Sequence, residues 1–136
     1  MEMRKFNKGA TRDTGQGKYE YYGFTHPLLD YCFARYMHKN RTMGDGSLRD
    51  SDNWWGGFGK DVVIQSMTRH VEDLKLLHTG YKVYEVRENG ECRREVLTPK
   101  EKPKKHWKEI TMEDCCNAIR FNSQAYLLEI IKGAKR

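Results

Sequence analysis

Two stretches of helical periodicity carry polar residues where an apolar face is expected. One is Arg69-His70-Val71-Glu72-Asp73; the other is Glu113-Asp114-Cys115-Cys116-Asn117, running on to Asn122. Burying such groups costs roughly 1–3 kcal/mol each unless they are partnered. A helix pair that accepts that cost twice points to a site rather than only a core. Asp73 lies four residues from Arg69 and three from His70, so both reach it on one helical face. The plain alternative is a surface pair, worth less than about 1 kcal/mol. His70, however, adjoins Val71 and Leu74 and faces Met67, which implies partial burial. On the second helix Asn122 falls in the stripe Cys115, Ile119, Tyr126, where a buried Asn could equally fix helix register. Together, Glu72, Asp73, Glu113 and Asp114 on two packed helices offer the oxygen ligands that Mg²⁺ prefers.

The elements that must position these groups are readable from period and punctuation. Residues 1–24 form a polar, Gly-rich arm carrying Tyr19, Tyr21, Tyr22 and Phe24. Thr25 and Pro27 open a first helix through Leu28, Leu29, Cys32, Phe33, Tyr36 and Met37, ending near Lys39. Residues 43–57 are too rich in Gly, Asp, Ser and Asn for regular structure, and long loops inside compact domains are usually functional. A second helix begins at Lys60 or Asp61, follows Val63, Met67, Val71, Leu74 and Leu77, and stops before Gly80. Two alternating segments then flank Asn89-Gly90, a strong turn signal, which predicts a β-hairpin over about 81–97. Beyond it lies a lysine-rich linker, so 80–110 reads as a surface insertion between helices. Thr111 with Asp114 resembles a capping box and opens a third helix that runs to about Lys132.

Length and composition bound the function classes. At 136 residues one domain is expected, large enough for a core without disulfides. Cys32, Cys92, Cys115 and Cys116 lack CxxC or CxxH spacing, which reads as reduced thiols in a cytoplasmic protein and argues against zinc. No run of about 18 apolar residues and no signal-like start appears, so neither export nor membrane spanning is expected. The formal charge of +6, from 25 Lys and Arg against 19 Asp and Glu, favours an anionic partner. Lys100, Lys102, Lys104, Lys105 and Lys108 crowd one stretch, but with Trp107 as the one aromatic among them they read as a solvated linker rather than a nucleic-acid groove.

Five blocks carry a resemblance. They are Gly9-Ala10-Thr11-Arg12-Asp13-Thr14 with Gly17-Lys18-Tyr19; Pro27-Leu28 with Tyr36-Met37-His38-Lys39; the run from Gly46 to Trp54; Arg69-His70 with Asp73, His78 and Gly80; and Glu113-Asp114 with Phe121-Asn122, Tyr126-Leu127 and Glu129. In these the chain resembles a largely phage-encoded family described as dATP/dGTP diphosphohydrolase N-terminal-like, distant relatives of the all-α MazG-like nucleotide pyrophosphohydrolases. The resemblance implies a mainly α, MazG-like helical bundle completed by homo-oligomerisation, a dimer or higher, with the hairpin inserted. It also implies Mg²⁺-dependent hydrolysis of purine (deoxy)nucleoside triphosphates to monophosphate and pyrophosphate, in the host cytoplasm if the chain is phage-encoded.

In that reading Asp73, Glu113 and Asp114 are the catalytic, metal-holding residues. Arg12, Lys18, Arg49 and Arg69 are phosphate-binding candidates, because guanidinium forks match phosphate oxygens. Tyr19, Trp54 or Tyr36 could stack a base, while His70, Asn53 and Asn122 complete the nucleotide-binding set. The relatives' paired-acid motifs fall here at Arg69/Glu72 or His70/Asp73 and at Asp114/Asn117, so the metal site is thinned. That thinning supports a second reading: a non-catalytic protein that sequesters a nucleotide, such as a host immune signal.

Overall fold

The computed structural model describes the backbone of residues 3–5 and 11–13 and, with side chains, residues 17–133. The chain forms two compact units, Met1–Tyr31 and Cys32–Arg136. In the first, β1 (Met3–Lys5) pairs antiparallel with β2 (Thr11–Asp13), with Arg4 opposite Arg12. Helix α1 (Pro27–Lys39) starts in this unit and crosses into the second. Its first turn carries Pro27, which needs no donor there, and the Leu28 N–H donates to His26 Nδ1 at 3.1 Å.

The second unit holds the rest of α1, then α2 (Lys60–His78), β3 (Lys82–Glu88), β4 (Glu91–Leu97), β5 (Lys108–Ile110) and α3 (Met112–Gly133). Helix α2 ends where Gly80, at φ +98°, lets the chain reverse; the Gly80 N–H donates to the Leu77 carbonyl and the Tyr81 N–H to that of Leu76. Asn89 and Gly90, at φ +54° and +78°, turn β3 into β4, as a two-residue hairpin of this hand requires. At the head of α3 the Asp114 N–H donates to Thr111 Oγ1 at 3.0 Å and the Thr111 N–H to Asp114 Oδ2 at 3.2 Å, a reciprocal capping box.

The expectation of a mainly α, MazG-like bundle is overturned. Among the described residues the fold is mixed, with three α-helices and a three-stranded antiparallel sheet in the order β4-β3-β5. The hairpin is not a surface insertion, because its first strand is the middle strand and supplies the core. Val83 and Val86 are fully buried, and Val83 packs with Ile110 and Cys115 against Leu74, Leu76 and Leu77 of α2. The lysine-rich segment ends as a strand rather than a linker, with Val83 opposite Ile110 and Glu85 opposite Lys108. Side chains alternate, so Val83, Glu85 and Arg87 turn toward the helices while Tyr84 and Val86 turn to the opposite face. There Trp107 packs on Tyr84 with ring centroids 6.0 Å apart. Among the described residues no helix is long and apolar enough to cross a membrane.

A core set by so few buried side chains should be sensitive to loss of one. Val83→Ala is expected to lower stability by about 2 kcal/mol, since two methyl groups leave a closed site that cannot collapse around them. In urea unfolding the midpoint should fall with an unchanged slope.

Candidate functional site

The loop after α1 is ordered by its own hydrogen bonds. The Arg49 N–H donates to the Arg41 carbonyl at 3.0 Å, and Arg41 Nε donates back to the Arg49 carbonyl at 2.7 Å. Between them Thr42 bridges Leu48, and Asp45 accepts from both the backbone and the hydroxyl of Ser47. The chain then makes a 3-10 turn, Asn53–Gly56, that sets Trp54 against α3. Trp54 meets Phe121 edge-on at 5.7 Å, and Phe58 meets the same ring at 6.2 Å.

These elements enclose a cavity of about 620 Å³, within the range of small-molecule sites. Its walls are Phe33 and Met37 of α1, Trp54 and Phe58 of the loop, and Phe121 of α3. The polar groups on it are His38, Asn40, Arg41, Arg49, Asp50, Ser51, Asn53 and Gln124. The guanidinium of Arg120 lies 4.2 Å from the centre of the Phe33 ring. Aromatic walls with amides and two arginines among the lining groups can hold a planar heterocycle bearing an anionic group.

The far end of the loop is fastened to the last turns of α3. Gly57 and Gly59 both have φ near +85°, with Gly57 at +88° and Gly59 at +85°. The Gly59 N–H donates to Glu129 Oε1 at 3.0 Å, and Lys132 donates to the Trp55 carbonyl. A Cβ on Gly57 would stand 3.1 Å from that same Glu129 oxygen. The other oxygen of Glu129, Oε2, is buried with no partner among the described residues.

The polar helix residues gather elsewhere, where α1, α2 and the head of α3 face the sheet. Asp73 is 5 % exposed and accepts from Arg94 Nε of β4 at 3.1 Å. Asp114 pairs with Lys39 of α1 at 2.9 Å, and Glu113 with Arg35 at 2.6 Å. Burial pushes the Asp114 carboxyl up, but the hydrogen bonds from Lys39 and Thr111 outweigh it and hold it below its ordinary value. The Arg35 hydrogen bond lowers that of Glu113. Burial, helped by the charges of Asp73 and Asp114, pushes the Cys115 thiol up to about 11, so it is a packing group and not a nucleophile at neutral pH. Burial likewise lowers His70, against the opposing pull of Asp73 and Asp114.

Asp73, Glu113 and Asp114 as they stand do not fit Mg²⁺. Each carboxylate is answered by a cation, Asp114 also caps a helix, and among the described residues no group of three or more His, Cys, Asp or Glu is placed to hold a metal. A metal would have to displace three ion pairs, one of them buried.

Of the nucleotide-binding candidates, Arg49, Asn53 and Trp54 meet on the aromatic cavity. His70 lies in the polar cluster with Asp73 and Asp114. Arg69 stands apart on the outer face of α2 beside Ile64, Gln65 and Thr68. Asn122 is buried and donates to the Ala118 carbonyl of its own helix at 2.8 Å, which uses its amide structurally. Lys18 and Tyr19 are exposed in the other unit, and the side chain of Arg12 lies outside the described residues. Sequence reasoning missed Phe33, Met37, Arg41, Phe58, Phe121 and Gln124 as cavity residues. The apolar ones carried a signal, but it reads equally well as helix core. No family model, curated protein or solved structure matches the chain.

Two outcomes follow from this geometry. Gly57→Ala should lower stability by about 1 kcal/mol or more in thermal unfolding, since alanine is strained at φ +88° and crowds Glu129. His70, half-buried and held below its ordinary value of 6.5, takes up a proton more readily unfolded than folded. Its contribution is therefore present above pH 6.5 and lost as the pH falls through the folded value. His70→Gln should flatten that part of the profile of melting temperature against pH, leaving only the carboxylate-driven loss at lower pH.

Proposed function

We propose that this chain binds a purine nucleotide, or a closely similar phosphorylated heterocycle, and retains it without turnover. The observation that carries this reading is the cavity walled by Phe33, Trp54, Phe58 and Phe121 with Arg41 and Arg49 among its lining residues. The base slides between Trp54 and the α1 wall, the amides of Asn53 and Gln124 meet its edge, and a phosphate faces the arginines. Stacking contributes about 1–3 kcal/mol per base, and an arginine pair adds charge-assisted hydrogen bonds. The resemblance to nucleotide pyrophosphohydrolases supports the ligand class. The ion pairs on Asp73, Glu113 and Asp114 favour retention over hydrolysis, since the carboxylates that would hold Mg²⁺ are engaged by Arg94, Arg35 and Lys39. Retention without turnover is the property a sequestering protein needs. Exposed Val62, Leu127, Ile130 and Ile131 on α2 and α3 support a homo-oligomer as part of the same reading.

Incubation with ATP, GTP, dATP and dGTP, with Mg²⁺ and with EDTA, tests this directly. Binding followed by tryptophan fluorescence should persist in EDTA, and the nucleotide recovered after denaturation should be intact by HPLC. Trp54→Ala should weaken binding by roughly tenfold, in keeping with the loss of one stacking partner. Pyrophosphate released in Mg²⁺ and abolished by Asp114→Ala would overturn retention in favour of hydrolysis. A monomer mass by light scattering at micromolar concentration would overturn the oligomer.

A further inference from the structure

A second cleft, of about 240 Å³, opens where the inner face of the sheet meets α1 and α2. The register of the sheet places Arg94, Glu85 and Lys108 side by side across β4, β3 and β5. Arg87 follows two residues along on the same face. Lys39 and His70 look onto this row from the helices. On the sheet one carboxylate thus sits among three cations, and with Lys39 and Asp114 from the helices the cleft carries four cations against two carboxylates.

The ion pairs leave part of this charge unanswered. Arg87 is engaged by Glu85 at 2.9 Å, Lys39 by Asp114 at 2.9 Å, and Arg94 by Asp73 through Nε alone at 3.1 Å. Among the described residues the terminal amino groups of Arg94 make no hydrogen bond, and Lys108 has no carboxylate partner. Two unspent donors, on the two strands that flank β3 and on either side of Glu85, therefore border a recess wide enough for one or two phosphoryl groups. Burial raises the Tyr36 phenol above its ordinary value and lowers His70, so the two add neutral donors at pH 7 and no competing negative charge.

We propose that this cleft is a phosphoryl-anion site, with Lys108 and Arg94 as its principal donors. The anion is either free phosphate or pyrophosphate, or the phosphate tail of the nucleotide proposed for the aromatic cavity. Asn40 lines both spaces, which makes the second source sterically reasonable. The tail alternative rests on the nucleotide reading; the free-anion alternative does not.

Calorimetric titration of the full chain with pyrophosphate, ATP and adenosine separates these cases. Lys108→Gln is the main variant, because removing an exposed, unpaired ammonium leaves the fold intact, and Lys104→Gln on the neighbouring surface controls for general charge. Pyrophosphate binding weakened about tenfold or more by Lys108→Gln, and unmoved by Lys104→Gln, supports the site as a free-anion site. Loss of ATP affinity in Lys108→Gln with adenosine affinity unchanged supports the tail. Failure of every nucleotide to bind while pyrophosphate still responds to Lys108→Gln would remove the proposed function and keep this site. If Lys108→Gln changes neither pyrophosphate nor ATP binding, or if Lys104→Gln weakens them equally, the site is overturned.

Discussion

A carboxylate as enclosed as that of Asp73 persists only if its charge is answered, and the answer comes from Arg94, twenty-one residues along the chain on a different element. That one ion pair joins the middle of α2 to the edge strand β4. Beside it the polar residues of the sheet, Glu85, Arg87, Arg94 and Lys108, face α1 and α2. The apolar half, around Val83, Ile110 and Cys115, is sealed by α2 and α3; the polar half becomes a cleft. The same pair also decides the chemistry of Asp73, which is a counter-ion for an arginine before it can be a ligand for anything else.

Charge matching of this kind recurs at Glu113 and Asp114, the two acids at the head of α3. Arg35 and Lys39 sit one turn apart on α1 and meet Glu113 and Asp114 at the head of α3, so the carboxylates act as clasps for α1. With Arg120 over Phe33, these contacts hold the α1 segment of the second unit against α3 and give the aromatic cavity its third wall. Acidity and architecture are thus the same interaction here, which is why the aromatic cavity rather than the acid cluster carries the functional reading.

How much of this was legible in the sequence follows from the range of the interactions involved. Helix limits, the Thr111–Asp114 box and the Asn89-Gly90 turn are local, and composition and period located them to within a residue or two. The place of the hairpin in the fold is not local. Val83 and Val86 do show as apolar, but only pairing with β5 makes β3 a middle strand, and β5 offers a single buried apolar residue, Ile110, at the end of a lysine run. Trp54, Asn53 and Arg49 were legible because they fall in a long, turn-rich loop and in the Gly46–Trp54 block that carries the resemblance. Phe33 and Phe121 did not, since a phenylalanine in a helical stripe looks the same whether it lines a cavity or fills a core. The cations that neutralise the acids lie 21 to 78 residues away, beyond any spacing rule.

Glu129 gives the cavity an unusual kind of fastening. One of its oxygens holds Gly59 and stands against Gly57, while the other has been taken from water without receiving a donor in exchange. The loop bearing Trp54 is thus moored from the tail of α3, through the Gly59 N–H on Glu129 and the Trp55 carbonyl on Lys132.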